Sequence, residues 1–287
     1  MEFRVLQYFL AVTREGNISA AAQSLNLSQP SLSRQLKDLE EELGATLFIR
    51  GKRRIELTEE GVILRKRANE MMQLIELTES EIFEVKNDIS GSLNIGAGES
   101  YSMHQITKVF YRLKKDYPGI RLNIISGDTE DLKDKLDRGL LDFALIFTDF
   151  DRKIYHHFTI DEREIFGVIM RKDSELAEKE SVTVKDLYGK PLIVSRANGL
   201  SLFSGAQARK LQVAATYNLL YNASLMVEDG IGYAVSFDKL VDTSDSSKLC
   251  FRPLVPEISV YPTLIWKREQ KLSIVSQLFV EKLGNIN

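Results

Sequence analysis

The sequence predicts an α+β chain in three parts: a winged helix-turn-helix at residues 1–58, a linker helix at 59–89, and two α/β lobes within 90–287. Three observations carry this division. Residues 18–43 hold two short helical patterns around a turn signal, followed by a basic cluster at 50–54. From Thr58 no proline appears until Pro118, and apolar residues between them recur at alternating steps of four and three. After Ser90-Gly91-Ser92, which reads as a hinge, short apolar strands alternate with helices.

In the head, Ser19 is placed to cap the first helix of the pair, because its hydroxyl can accept from a backbone N–H one turn on. Ala20, Ala21 and Ala22 are strong helix formers and small enough to let a second helix approach. Asn26, between Leu25 and Leu27, tolerates a left-handed backbone and suits a sharp turn. Ser28 caps the second helix, with Gln29 and Pro30 in a first turn whose N–H groups have no intrahelical partner. That helix runs to about Glu42, and Gly44 stops it.

Leu32, Leu36, Leu39 and Leu43 form the buried stripe of the second helix. Its opposite face shows Gln29, Ser31, Ser33, Arg34 and Lys37. Such side chains suit a DNA groove: Gln pairs with adenine, Arg with guanine or phosphate, and Ser with either. A helical hairpin alone fits many proteins. What turns this one toward DNA is the sequel, where Arg50, Lys52, Arg53 and Arg54 crowd a loop between Leu47-Phe48-Ile49 and Ile55-Glu56-Leu57. Two short strands with a basic tip make a wing that can lie along phosphates or enter a minor groove.

Five motifs recur here in order: Ala20-Ala21-Ala22-Gln23-Ser24-Leu25, Ser28-Gln29-Pro30-Ser31-Leu32-Ser33-Arg34-Gln35-Leu36, Leu39-Glu40-Glu41-Glu42-Leu43-Gly44, Leu47-Phe48-Ile49-Arg50 and Leu57-Thr58-Glu59-Glu60-Gly61. With these, residues 1–60 closely resemble the N-terminal domain of LysR-type transcriptional regulators, and the resemblance continues more weakly to the C-terminus. It implies that Gln29, Pro30, Ser33 and Arg34 sit at the groove of promoter half-sites in double-stranded DNA, with the wing near Arg53 against the neighbouring backbone or minor groove. It further implies assembly with copies of itself, commonly a tetramer of two dimers, and RNA polymerase as a partner.

A chain of 287 residues with 44% apolar residues has room for two or three domains with sizeable cores. Its net charge of −3 gives no global basic field, so DNA affinity must come from the local cluster at 50–54 and from fitted contacts, and should fall with salt. One cysteine, Cys250, excludes a disulfide within a subunit. Met1-Glu2-Phe3-Arg4 lacks a secretory pattern, and no apolar run approaches the roughly 18 residues of a membrane span. A cytoplasmic setting without membrane contact is expected.

Thr58 can cap the linker helix, with Glu59 and Glu60 where negative charge is favoured. Leu64, Ala68, Met71, Ile75, Thr78, Ile82, Val85 and Ile89 form a heptad seam that predicts a coiled-coil dimer. The alternative is a surface helix packed on its own domain.

Strands are expected at Leu93–Gly96, Ile120–Ile125 and Phe143–Phe147, with helices at 102–116 and 128–136, which together argue for a parallel sheet. A second set has strands at 165–170, 191–194, 213–217 and 232–235, with helices at 184–187, 202–211 and 220–228. A strand at 263–266 and a helix at 272–283 close the chain. Two α/β lobes imply a cleft between them. Gly139-Leu140-Leu141-Asp142-Phe143-Ala144 and Glu228-Asp229-Gly230-Ile231-Gly232-Tyr233-Ala234 resemble the family's effector-binding region, which looks like a periplasmic solute-binding protein. The expected lobes are about 92–161 with 267–287, and about 162–266.

Ligands of open α/β sheets sit at strand carboxyl ends, where helix N-termini offer backbone donors. That rule nominates Ser100, Tyr101 and Ser102 after the first strand, Thr129 after the second, and Phe147 and Thr148 after the third. It adds Ser195 and Arg196 in the second lobe, and Asn222 at a helix start. Such groups suit a small polar metabolite, although each hydroxyl is equally a helix cap and Arg196 equally a surface ion-pair partner. Glu99 sits awkwardly for an anion and leaves the effector's charge open.

Enzyme readings are weaker. Gly98-Glu99-Ser100-Tyr101-Ser102 only approaches a nucleophile elbow, and His104, His156 and His157 offer no later histidine in a suitable element. His156-His157, read as a solvated interlobe crossover, lacks a metal-ligand pattern, and no nucleotide fingerprint appears. No catalytic residue, metal or cofactor is expected beyond the effector. The rival from another class is an architectural DNA binder whose lobes serve only oligomerisation.

Overall fold

The computed structural model describes residues 1–50, 55–84, 89–197 and 199–284. The chain falls into two compact units, Met1–Ile82 and Phe83–Asn287. The first opens with α1 (Phe3–Glu15), α2 (Ile18–Ser24) and α3 (Gln29–Leu43). Strands β1 (Phe48–Arg50) and β2 (Ile55–Leu57) pair antiparallel, and α4 (Glu59–Glu84) follows. Phe9, Val12, Ala21, Ala22, Leu32, Leu36, Leu39 and Leu47 form the core of this unit. The alanines let α2 lie close to α1 and α3, as their size foretells.

Capping follows the sequence with one correction. Asn17, not Ser19, caps α2: its side-chain oxygen accepts from the Ser19 and Ala20 amides at 2.7 and 3.2 Å. Asn ranks with Ser as a cap, and here it stands one residue before the helix starts. Asn26 takes φ of 55° in the turn, Ser28 caps α3, and Gly44 ends it at φ of 63°. Leu43 is 41% exposed and does not complete the buried stripe, because α3 has run past the core by its last turn. The Thr58 hydroxyl accepts from the Gly61 amide and starts α4 as expected.

On α4, Leu64 packs against the head core, while Ile63, Met71 and Leu74 are exposed. Thr78 returns its hydroxyl to the Leu74 carbonyl. Val85 lies outside the described residues. Ile89 is not helical and packs against the core of the next unit, so it leaves the expected seam.

The second unit contains two sheets. The first carries β3 (Ser90–Ala97), β4 (Gly119–Ser126), β5 (Phe143–Ile146), β6 (Tyr155–Thr159) and β14 (Thr263–Lys267) in the order β4-β3-β5-β14-β6. Helices α5 (Met103–Asp116) and α9 (Ile274–Gly284) cover one face and α6 (Thr129–Asp137) the other. Strand β5 shows why: Phe143 and Leu145 enter one core, Ala144 and Ile146 the other, as a sheet buried on both faces requires. The second sheet runs β10 (Gln212–Tyr217), β9 (Pro191–Ser195), β11 (Tyr233–Phe237), β7 (Glu164–Arg171), β12 (Leu249–Val255), β8 (Val182–Thr183). Strand β13 (Ser259–Val260) adds to β7, and α8 (Leu220–Glu228) packs on Ile169, Ile193 and Ala234.

Several expectations shift here. Ser90-Gly91-Ser92 is the start of β3, paired with Gly119, Ile120 and Arg121, and not a hinge. The sheets are mixed: β14 runs antiparallel between β5 and β6 in the first, and β7 runs antiparallel to β11 and β12 in the second. The 202–211 helix shrinks to α7 (Gly205–Ala208), which begins only at Gly205, where a Ser204–Gln207 capping box starts it. Thr263–Lys267 pairs with β5 and β6, so the return to the first lobe precedes residue 263 and does not fall at 267. His156 and His157 lie in β6, with His156 against Trp266 and His157 against Phe150. Two short crossings, 160–163 and 261–262, join the lobes, and the Ile160 amide donates to the Pro262 carbonyl between them at 2.9 Å.

Candidate functional site

The first candidate surface is α3 with its wing. Leu32, Leu36 and Leu39 turn inward, which sends Gln29, Pro30, Ser31, Arg34 and Lys37 outward into solvent; Ser33 is half-buried beside them. The Arg34 side chain has no partner among the described residues, and Lys37 pairs with Glu41 one turn on. Asp38, Glu41 and Glu42 make the far half of α3 acidic. Only its first two turns therefore suit a phosphate-lined groove, with the helix N-terminus adding its own positive end.

The wing is fixed to α3 by one side chain that the sequence reading passed over. Glu40 Oε1 accepts from the Leu47 amide at 2.7 Å and the Phe48 amide at 3.2 Å. Gly61 lies so close to this segment that a Cβ there would sit 2.2 Å from the Leu47 carbonyl oxygen. Arg50 closes β1, whereas Lys52, Arg53 and Arg54, the expected phosphate contacts of the tip, lie outside the described residues.

The second candidate is a cavity of about 220 Å³ between the two sheets of the C-terminal unit. Phe147, Phe166, Leu202, Leu220, Val235 and Phe237 give it apolar walls. Gly98 also lines it, and a Cβ there would sit 2.7 Å from the Phe147 ring, so that ring needs bare backbone beneath it. Glu99 reaches across from the first lobe: its Oε2 accepts from the Leu220 amide, in the first turn of α8, at 2.6 Å. Tyr217 donates its hydroxyl to the Val235 carbonyl at 2.8 Å. Burial, and then the charge of Glu99, push the Tyr217 phenol well above its ordinary range, so it stays a neutral donor.

Of the residues nominated for a ligand, Thr129, Phe147, Thr148, Ser195 and Arg196 line this cavity. Ser100, Tyr101, Ser102 and Asn222 do not. Ser100 is buried with its hydroxyl unpartnered. Tyr101 carries the Lys239 ammonium over its ring at 4.7 Å. Ser102 is buried and donates through its amide and hydroxyl to Glu164 Oε1 at 2.7 and 2.5 Å. Asn222 is exposed on the first turn of α8. The chain turns into α5 after Glu99, which carries residues 100–102 away from the strand end. Tyr217, Asn218 and Phe237 were missed, although each ends or follows a strand; the rule that found Ser195 finds them once β10 and β11 have their true ends. Among the described residues no group of histidine, cysteine and carboxylate side chains is placed to hold a metal, and no helix is long and apolar enough to cross a membrane.

Known proteins share this arrangement. Residues 3–62 match the bacterial regulatory helix-turn-helix protein, lysR family, and residues 86–285 match the LysR substrate binding domain. The HTH-type transcriptional regulator YtlI of Bacillus subtilis (strain 168) is 32% identical over 204 residues, spanning 69% of this chain and 64% of its own length. The uncharacterized HTH-type transcriptional regulator YwbI of the same organism is 26% identical over 288 residues, spanning 98% of this chain and 95% of its own. The crystal structure of CbnR, a LysR family transcriptional regulator, superposes with a TM-score of 0.77 at 20% identity over 99% of both chains. Full-length CbnR complexed with its target DNA superposes at 0.76, again at 20% identity over 99% of both chains.

Proposed function

Since the chain belongs to the LysR family of helix-turn-helix regulators, we propose that it is a transcriptional regulator whose promoter binding is controlled by a small molecule held between its two C-terminal lobes. It is not an enzyme: its relatives are regulators of transcription.

The observation that carries the DNA role is the outward face of α3, where Pro30, Arg34 and Lys37 stand clear of the core beside a wing held by Glu40. Gln29 and Arg34 read base edges; Lys37, Arg50 and the tip residues Lys52, Arg53 and Arg54 hold phosphates; Ser31 and Ser33 serve either purpose. CbnR has been seen on its target DNA, and its fold is shared across the whole chain.

Control by an effector rests on the cavity. Thr129, Phe147, Thr148, Ser195 and Arg196 from both lobes surround one volume, and the chain passes from lobe to lobe in the short crossings near Ile160 and Pro262. A ligand that bridges the lobes favours one closure over another and so shifts how paired heads fit their half-sites. Pairing follows from the exposed Ile63, Met71 and Leu74 of α4; assembly to a tetramer and contact with RNA polymerase in the cytoplasm complete the reading. No resident cofactor enters it. Footprinting tests the whole: protection of defined half-sites spaced by whole helical turns, about 10 base pairs each, is expected. Uniform coating without sequence preference would contradict it and favour an architectural role.

A further inference from the structure

We propose that the effector carries a cationic amine and that Glu99 is its counter-charge; this rests on the cavity being the effector site. Among the described lining residues, Glu99, Asp128 and Asp131 are carboxylates and Arg196 alone is basic. Asp128 is occupied as the cap of α6, accepting from the Asp131 amide at 3.0 Å. Glu99 is only half used: Oε2 takes the Leu220 amide, and Oε1 has no protein partner among the described residues. That free oxygen belongs to a solvent-exposed side chain that lines a cavity with apolar walls, where it can accept a charge-assisted hydrogen bond from an ammonium.

The same geometry disfavours a simple carboxylate. The N-terminus of α8 is the natural seat for an anion in this cleft, and Glu99 already fills it from the opposite lobe. A carboxylate could take that helix end only by evicting a covalently tethered rival and then lying beside its charge. An ammonium meets no such rival. Arg196, whose side chain has no partner among the described residues, stands on the same cavity wall. A zwitterion with its amine on Glu99 and its carboxylate on Arg196 is therefore the best-matched form. A volume of about 220 Å³ is below the roughly 300 Å³ at which drug-sized sites begin, so the ligand is metabolite-sized.

Binding also gives the ligand leverage. Glu99 bridges the lobes through Leu220, and an ammonium on Oε1 joins that bridge without breaking it. An amine thus stabilises the closed arrangement, which links ligand charge to lobe position.

The test is a thermal-shift and calorimetric comparison on the full chain. Phenethylamine, isoamylamine, putrescine, leucine and phenylalanine are set against phenylacetate, isovalerate and butyrate. Three variants are used: Glu99→Gln, which keeps an acceptor for Leu220 but no charge; Glu99→Asp, which keeps the charge; and Thr148→Trp, which fills the cavity from its exposed rim. At least one amine or amino acid should raise the melting temperature. Its affinity should fall about tenfold or more in Glu99→Gln, recover in part in Glu99→Asp, and vanish in Thr148→Trp. The carboxylates should do nothing. A carboxylate that binds wild type and is lost in Thr148→Trp overturns the amine proposal and leaves the cleft reading standing. Amine binding indifferent to Glu99→Gln, or no binding by any amine, also overturns it. Ligand binding that survives Thr148→Trp refutes the cleft reading itself.

Discussion

The Glu40 carboxylate accepts from the backbone amide of Leu47 at 2.7 Å, and the same oxygen takes the Phe48 amide at 3.2 Å. One side chain on α3 thereby satisfies both amides where the chain enters β1, and so ties the helix to the start of the hairpin.

Glu40→Ala should therefore cost about 1–3 kcal/mol, because it strands two part-buried amides. Glu40→Gln should cost less, since an acceptor remains. Thermal melts give the stability, and salt titration of DNA binding gives the rest: a loosened wing makes fewer phosphate contacts and so a shallower salt slope. Unchanged slopes would show that the wing keeps its place without this tie.

The Asp142 carboxylate is buried and accepts from the Asn94 amide, the Asn94 side chain and the Ser276 hydroxyl, tying β3, the loop before β5, and α9 together. Burial raises its pKa above the ordinary 3.8, with the hydrogen bonds opposing in part. The sign follows. The unfolded group ionises near 3.8 while the folded group still holds its proton, so this residue lowers stability as pH rises from 3.8 through the folded value. Asp142→Asn should match wild type below that window and gain on it above, as denaturant melts at several pH values would show. Asp142→Ala should lose about 2–3 kcal/mol below that window, having left the Asn94 amide unpaired, and less above it, where the wild type itself loses stability.

Thr148→Trp should abolish the response of DNA binding to any effector while leaving the DNA affinity of the ligand-free protein intact. Thr148 lines the cavity and is exposed at its rim, so the indole fills the cavity without disturbing a core. Ser100→Ala should leave the response unchanged, because that hydroxyl is buried away from the cavity with no partner, and it should not lower stability. Loss of response in Ser100→Ala would move the site toward α5.

Leu74→Glu should weaken self-association. Leu74 is 45% exposed and Met71 is 41% exposed one turn before it on α4, so apolar surface faces water in the single chain. Sedimentation of the full chain checks it; an unchanged assembly state would place the main contact elsewhere.

The head was the most legible part of the chain, because its signals are local. Asn26, Ser28 and Gly44 act within three or four residues of themselves, and the structure places each as its chemistry foretells. The alternation of strands and helices was equally plain. What stayed hidden is long-range. Nothing near Thr263 in sequence says that it pairs with Ile146 and Thr159, which is why the lobe boundary slipped. Nothing near Glu99 points to the amide of Leu220, and nothing near Ser102 points to the buried carboxylate of Glu164. Strand-end reasoning found about half of the cavity's polar wall. Residues 100–102 lie off that wall: the Ser102 hydroxyl goes to Glu164, and the Ser100 hydroxyl is buried without a partner.

The central claim is that α3 reads base edges, and competition footprinting of Gln29→Ala and Arg34→Ala at one fixed salt concentration tests it most directly. Each substitution is expected to cost about 1–3 kcal/mol at the preferred site and to relax sequence preference at one position, while affinity for random DNA stays close to wild type. Site preference and promoter occupancy equal to wild type in both variants would contradict it.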